Sequence, residues 1–421
     1  MKKYTLPFVI AILLSVVTAC SGGGQASEGG KEAVTLDFMT NASEGILETY
    51  REIAENYQKE NPDITVKVTS QGKDFEALMK AKMASNDLPD LWSTHGWSVE
   101  RYSEHLVKVN DQPWFDKVKE PIIPAISKDN GDVFVLPLDI DQSGVVVNKD
   151  VLEEAGVNID DLKTWDDFVS AFEKVKGIGK VPVGIGGKDP RQFAHFLDVM
   201  ATPLYISSEK HNYADALLDG TFDWSKWSEA SELLLSLKEN EYLNKDALTA
   251  SPDAMTELMA RNEVAFLFAN NGAVTGTLEF NPDANVGFVP IPAVHEGDAP
   301  VLIGGERDAV GVWKNSEHKE EALKFLAYLA QPENVQAISE EQGMPPALEG
   351  VESDLGKLTD DYKKYEDVPV EVYFDRVYLP GGMWSTLQTV GSGLVSGDIS
   401  VEKAIQTMEN DDNRLRKETE Q

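Results

Sequence analysis

The chain has 421 residues, of which 72 are acidic and 38 basic, and its formal net charge at pH 7 is −34. So acidic a surface opposes phosphate-rich partners, and we expect no nucleic acid to bind. Cys20 is the only cysteine, which leaves no pair for a disulfide and no thiol cluster for a metal. Residues 34–421 are too many for one hydrophobic core, and this length predicts two lobes.

The amino terminus has the pattern of a secretory signal. A basic start precedes an apolar run from Leu6 to Val17, which is too short to span a bilayer comfortably. The motif VTAC that ends at Cys20 resembles a bacterial lipoprotein signal, in which the cysteine becomes the lipidated first residue. We predict a signal peptide over 1–19 and lipidation of Cys20, with ordinary secretion as the alternative.

A small, polar and glycine-rich stretch follows the signal. Residues 20–33 are predicted to be a flexible tether to the lipid. No later segment is long and apolar enough to cross a bilayer. We therefore expect a globular protein held by Cys20 at the extracellular face of the cell membrane.

Alternating strands and helices begin after the tether. Strands are predicted at 34–40, 64–70 and 88–94, with helices at 46–60 and 74–85 between them. One face of the first helix is apolar, and its members are Ile46, Leu47, Tyr50, Ile53, Ala54 and Tyr57. This order predicts an α/β fold with mostly parallel sheets flanked by helices, and ligands of such sheets gather at the carboxyl ends of strands.

The middle of the chain contains a segment that crosses between lobes. The chain is predicted to be extended on both sides of residues 139–144, with no helix between the two extended parts. A capping box from Thr164 to Asp167 then predicts the start of a helix. Helices are also predicted through most of 201–260, and at 318–330, 332–343, 384–397 and 400–418. Further strands are predicted at 181–187, 263–272 and 285–293, and the last is a second candidate crossing.

Several stretches resemble one known family. LPLDIDQSGVVVNKDVLEEAG followed by TWDDFVSAFEKVK is similar to the crossing strand and next helix of sugar-binding proteins of ABC importers, the solute-binding family that includes maltodextrin-binding protein. KENPDITVKV, AVGVWKNSEHKEEALKFLAYLAQPENVQ and SGLVSGDISVEKAIQTM are similar to other parts in the same order. The resemblance implies two lobes joined by hinge strands, closure over a ligand in the cleft, and docking on a membrane permease.

The same resemblance sets the remaining expectations. It implies a monomeric binding protein for a carbohydrate, an oligosaccharide in particular, with no enzymatic activity and no cofactor. Lobe 1 is predicted over 34–140 and 292–343, and lobe 2 over 141–291 and 344–421. The alternatives are the same fold with a peptide or polyamine as ligand, or an extracellular glycan hydrolase with two carboxylates in the cleft.

Asp90–Ser98, DLWSTHGWS, could serve a hydrolase, a sugar site or a core. His-Gly-Trp after a strand resembles an oxyanion-hole loop, but no Gly-x-Ser-x-Gly elbow follows. Trp92 lies within the strand and is predicted to be core. Trp97 follows a glycine in the loop and is predicted to stack on a sugar face, and His95 is a candidate for binding hydroxyls.

Three carboxylates are candidate ligand contacts. Glu44 follows the first strand, where it could bind hydroxyls or simply favour the amino terminus of a helix. Asp139 and Asp141 lie in the crossing segment, which would line the floor of the cleft. Their spacing to Ser143 and Asp150 also matches a calcium loop, but strands rather than helices flank it.

The remaining candidates come from the second half of the chain. Asn270 and Asn271 follow a strand, and their amides suit hydroxyls; the resembling family commonly has a tryptophan shortly afterwards, which this chain lacks. Gly305 and Arg307 belong to a stretch that resembles a family loop near the ligand, where Arg307 could bind hydroxyls or simply pair with an acid. Trp384 begins a helix after a glycine-rich turn and is predicted to be a second stacking platform.

Overall fold

The computed structural model describes residues 33–94, 99–128 and 130–419. Within them the strands are β1 Val34–Thr40, β2 Ile64–Ser70, β3 Leu91–Ser93, β4 Leu136–Pro137, β5 Ile140–Ser143, β6 Val145–Asn148, β7 Val181–Val183, β8 Val264–Leu267, β9 Val286–Val289, β10 Leu302–Glu306, β11 Ala309–Val312 and β12 Val370–Val372. The helices are α1 Glu44–Glu60, α2 Phe75–Ser85, α3 Val99–Tyr102, α4 Ile123–Ile126, α5 Lys149–Glu154, α6 Trp165–Gly177, α7 Arg191–Tyr205, α8 Ala214–Leu218, α9 Trp227–Glu239, α10 Pro252–Ala260, α11 Gly272–Phe280, α12 Lys319–Leu329, α13 Pro332–Gln342, α14 Thr359–Lys364, α15 Phe374–Val377, α16 Met383–Ser396 and α17 Val401–Thr419.

Lobe 1 is built on a five-stranded sheet with the order β2-β1-β3-β11-β4. β1 runs parallel to β2 and β3, as the alternating pattern of its sequence predicts. The predicted apolar face of α1 is confirmed, because all six of its members are buried. Tyr50 on this face meets the ring of Phe38 edge-on at 5.1 Å, so α1 seals one side of the sheet.

Lobe 2 is built on a four-stranded sheet with the order β7-β8-β6-β9. Its largest core contains Phe168 and Phe172 of α6, whose rings pack against Phe266 of β8. The predicted capping box at the start of α6 is confirmed, since Thr164 and Asp167 bond to each other's backbone. This local motif fixes where the helix begins and therefore which of its faces meets the sheet.

A small third sheet joins the two lobes, with the order β12-β10-β5. β5 follows β4 of lobe 1 and leads directly into β6 of lobe 2, while β10 leads back into β11 of lobe 1. The two strands therefore run in opposite directions, and their ladder is antiparallel. We call β5 and β10 the hinge strands.

The predicted α/β fold with sheets flanked by helices is confirmed, but the sheets are mixed rather than mostly parallel. Of the nine strand ladders in the described residues, five are antiparallel. A parallel neighbour needs a long crossover, usually a helix, whereas β6 and β11 come straight from the hinge strands. Each therefore enters its lobe against the direction of its neighbours.

The buried side chains fall into separate cores. The lobe 1 core draws on residues from Leu36 to Ile140 and from Ala309 to Leu348, and the lobe 2 cores on residues from Val145 to Ile303 and from Leu358 to Met408. The exact bounds of the lobes stay a prediction. Within the described ranges, no helix has both the length and the apolar character that a membrane span requires.

Candidate functional site

The hinge strands approach each other unusually closely. Gly305 lies opposite Asp141 in the ladder, and Gly304 lies opposite Gln142. A β-carbon at Gly304 would collide with the carbonyl oxygen of Asp141, and Gly305 has φ of +144°, a conformation that L side chains rarely adopt. The glycine pair therefore serves the backbone here, and predicted site residue Gly305 has a structural reason to be glycine.

Asp139 and Asp308 form a buried carboxyl pair where the hinge strands enter lobe 1. The backbone N–H of Asp308 donates to Oδ1 of Asp139 at 2.7 Å. Asp308 also accepts from the hydroxyls of Tyr50, at 2.6 Å, and Ser93, at 2.9 Å. Burial, followed by the charge of Asp308, raises the pKa of Asp139 well above its ordinary value, so the pair holds a proton more readily than isolated carboxyls.

Asp141 is held by donors of the protein itself. Its two carboxylate oxygens accept from Ser143 Oγ at 2.5 Å and from the hydroxyl of Tyr373 at 2.7 Å. Only 1% of the Asp141 surface is exposed. Asp139 and Asp141 thus tie the crossing segment to both lobes, and a direct contact of either with ligand stays a prediction.

Glu306, the last residue of β10, is a buried carboxyl beside a cation. Burial raises its pKa to about 7, and the positive charge of Arg376 acts against that rise. Arg376 belongs to α15, and its guanidinium lies over the ring of Tyr373, 4.3 Å from the centroid. Tyr102 of lobe 1 also lies near Glu306, because burial and then the charge of Glu306 raise the pKa of Tyr102.

A second carboxyl pair anchors α15 to lobe 2. Asp198 of α7 is buried, and its Oδ1 accepts the backbone N–H of Asp375 at 2.7 Å. Burial, followed by the charge of Asp375, raises the pKa of Asp198. Burial also raises the pKa of Asp375, helped by the charge of Glu76. Arg376 and the side-chain hydrogen bond with Asp198 act against that rise. One turn earlier on α7, burial lowers the pKa of His195 to about 4, so this imidazole is neutral at physiological pH.

Asn271 joins α11 to the hinge. Its Nδ2 donates to the carbonyl of Gln142 at 2.8 Å and to the hydroxyl of Tyr362 at 3.0 Å. Its Oδ1 is buried and has no partner among the described residues. Asn270 is half-buried, and its Oδ1 accepts the backbone N–H of Gly272 at 3.1 Å.

Three further predicted contacts are partly or fully open to solvent. Glu44 is the exposed first residue of α1, where it also suits the helix dipole. Arg307 follows β10, is half-buried, and acts with its charge on Asp139 and Asp308. Trp384 is the second residue of α16 and packs half-buried against the lobe 2 core. Their contact with ligand stays a prediction.

Some predictions lie outside the described residues or concern packing alone. Cys20, His95 and Trp97 fall outside the described ranges. The prediction that Trp92 is core is confirmed, because its side chain is fully buried in the hydrophobic core of lobe 1. In the calcium-like stretch, β5 and β6 are both extended, and the described residues contain no group of three acidic or histidine side chains placed to hold a metal.

The sequence reasoning missed the residues around α15. These residues meet Glu306 and Asp141 only in the folded chain, because β10 pairs with β5 and Tyr373, which immediately precedes α15, bonds to Asp141 of β5. The residues missed are Tyr373, Asp375 and Arg376. The one local signal was an Asp-Arg pair between aromatic residues, in YFDRVY, shortly before the glycine-rich turn that precedes Trp384. Charged residues between aromatics are a common pattern of polar binding sites, but also of ordinary surfaces.

Comparisons with known proteins agree with this architecture. The family model described as bacterial extracellular solute-binding protein matches residues 41–336. The chain is 35% identical to the melibiose/raffinose/stachyose-binding protein MelE of Bacillus subtilis, over 99% of this chain and 98% of that protein. It is 24% identical to a multiple sugar-binding protein of Streptococcus mutans, over 84% of each.

Solved structures show the same two-lobe fold. A Bacillus subtilis binding protein in an open conformation superposes with a TM-score of 0.87 at 35% identity, covering 92% of this chain and 98% of that one. A sugar transporter protein of Bacillus licheniformis in complex with stachyose gives 0.81 at 36% identity, covering 90% and 100%. These relatives are named as binding or transport proteins, not as enzymes. The chain belongs to the bacterial extracellular solute-binding protein family.

Proposed function

We propose that this protein binds oligosaccharides of the melibiose, raffinose and stachyose type and delivers them to an ABC importer. The observation that carries the proposal is the 35% identity to a binding protein for these three sugars over 99% of this chain. The structure with bound stachyose, at 36% identity, supports the same ligand class. The three sugars share a terminal galactose joined through an α-1,6 bond, which defines the unit to test.

The described side chains suit a neutral, hydroxyl-rich ligand. Glu44, Asn270 and Arg307 provide acceptors and donors that are partly or fully open to solvent, and Trp384 provides a ring for a sugar face. His95 and Trp97 complete the proposed contacts. Asp139, Asp141, Asn271 and Gly305 are proposed to act at the hinge, where their buried polar groups hold the crossing strands in place.

The anchor and the mode of action belong to the same proposal. Lipidation of Cys20 and a tether over 20–33 would keep the monomeric protein at the outer face of the membrane. Ligand would hold the lobes closed about the hinge strands, and the closed form would dock on the permease without any chemical reaction. A binding protein releases its ligand unchanged, which separates it from a glycan hydrolase.

Isothermal titration calorimetry tests the ligand class directly. We expect melibiose, raffinose and stachyose to bind with micromolar or better affinity, equivalent to about 8 kcal/mol or more. Maltose, cellobiose, spermidine and a short peptide serve as controls. Binding of spermidine or peptide alone would contradict the proposal, and chromatography of raffinose after long incubation would contradict it if galactose or sucrose were released.

A further inference from the structure

Arg376 presents hydrogen-bond donors that the described protein does not use. Its guanidinium lies 4.3 Å from the centroid of the Tyr373 ring, so the ring supports one flat face. No described residue forms an ion pair with it within 4 Å or accepts a hydrogen bond from it. Because a guanidinium carries five N–H donors along its edge, this half-buried side chain is equipped to bind a further group.

Several acids lie near Arg376, but none of those described forms a direct ion pair with its guanidinium. Burial lowers the pKa of Arg376, but Tyr373 and the acids Glu306, Asp375 and Asp141 outweigh it and raise the pKa overall. Asp141 and the hydroxyl of Tyr373 are already bonded to each other. Asp375 shares a side-chain hydrogen bond with Asp198, so Glu306 and the second carboxyl oxygen of Asp375 have capacity for another partner near Arg376.

The cluster is rigidly placed at the point where both lobes approach the hinge. Asp198 of α7 accepts the backbone N–H of Asp375, which fixes α15 on lobe 2. Glu306 belongs to a hinge strand, and Glu76 of α2 in lobe 1 is close enough to contribute to the raised pKa of Asp375. His195 Nε2, whose ring lies 6.3 Å from that of Tyr373, is buried and has no partner among the described residues.

We propose that Arg376, together with the carboxyls of Glu306 and Asp375, is a subsite for two adjacent hydroxyl groups of a pyranose ring. A hydroxyl can accept from the guanidinium and donate to a carboxylate at once, whereas an ammonium group only donates and an ionised carboxylate only accepts. Arg376 repels a cation such as a polyamine, and the two acids repel an anion. The inference rests on the proposed function and assigns it a specificity-determining residue.

The test compares raffinose binding by wild-type protein and the variants Arg376→Met, Arg376→Lys and Arg261→Met. Arg261 is an exposed arginine immediately after α10, paired with Glu257, and serves as the matched control. We expect Arg376→Met to raise Kd on the order of 100-fold, because two hydrogen bonds to a charged group are lost. Arg376→Lys, which keeps the charge without the planar fork, should raise Kd on the order of 10-fold.

Labelling of the wild-type protein with phenylglyoxal gives a second readout that does not depend on how the variants fold. Raffinose should slow modification of Arg376 and leave that of Arg261 unchanged, as measured by peptide mass spectrometry. If wild type binds raffinose but Arg376→Met binds within threefold of it, the subsite is refuted and the proposed function stands. If wild type binds none of the three galactosides, the proposed function is refuted and the subsite with it.

Discussion

Glu306→Gln removes one ionisable proton from the hinge and keeps the shape of the side chain. Glu306 is 3% exposed, and burial raises its pKa from 4.5 to about 7. Between these two pH values the native protein keeps the proton while the unfolded chain loses it. The contribution of Glu306 to stability is therefore complete below pH 4.5 and is lost as pH rises to about 7.

The displacement of this pKa sets the size of the effect. A difference from 4.5 to about 7 corresponds to about 3 kcal/mol of unfolding free energy. The neutral glutamine does not titrate, so the variant avoids this loss. The free energy of unfolding of Glu306→Gln minus that of wild type should thus increase by about 3 kcal/mol between pH 4.5 and pH 8.

Urea denaturation without ligand, followed by tryptophan fluorescence at several pH values, measures this difference. Subtracting the unfolding free energy of wild type cancels the pH-dependent contributions of the other carboxyls whose pKa burial raises, such as Asp139 and Asp198. Glu52→Gln, on the exposed face of α1, controls for the loss of one surface carboxylate. A difference that stays constant within about 1 kcal/mol over this range would refute the reasoning that Glu306 is desolvated in the native hinge.

Four further changes test packing, ligand contact and anchoring. Trp92→Ala should destabilise the fold by about 3–5 kcal/mol in urea denaturation yet leave raffinose affinity nearly unchanged; a large loss of affinity would contradict its assignment to the core. Trp384→Ala should weaken raffinose binding about tenfold in calorimetry while lowering the melting temperature less than Trp92→Ala does, because Trp384 is only half-buried, and unaltered Kd would remove it from the site. Tyr373→Phe should cost about 1–3 kcal/mol of stability, because buried Asp141 loses a donor, whereas a neutral effect would show that this bond is dispensable. Cys20→Ser should release the protein from the membrane fraction into the medium, and continued membrane retention would argue against the lipid anchor.

Local patterns allowed much of each lobe to be predicted from the sequence. The helical periodicity of α1 identified all six of its buried residues, and Thr164 with Asp167 marked the first turn of α6. Trp92 was assigned to the core because an apolar neighbour and a strand pattern surround it. These features depend on residues within one or two helical turns of each other, so a short stretch of sequence is enough to predict them.

The sheet directions were not predictable in the same way. β6 and β11 look like other apolar strands, and nothing in their residues shows that each arrives directly from a hinge strand. The relative direction of two strands depends on the path that the chain takes between them. The antiparallel ladders of β6 and β11 arise because the chain passes directly from one lobe to the other before these strands. This is why an alternating pattern led to a mostly parallel prediction.

By itself, the sequence determined the α/β class, the amphipathic faces and the extended crossing at 139–144, because each follows from periodicity or from a nearby motif. Only the tertiary structure decided which polar groups meet. Asp139 bonds to Asp308 across 169 residues, and Tyr373 to Asp141 across 232. Burial then shifts the pKa of Glu306, since desolvation depends on everything packed around a group and not on its neighbours in the chain. Packing likewise decides that Arg376 lies over the ring of Tyr373 with no hydrogen-bond acceptor among the described residues.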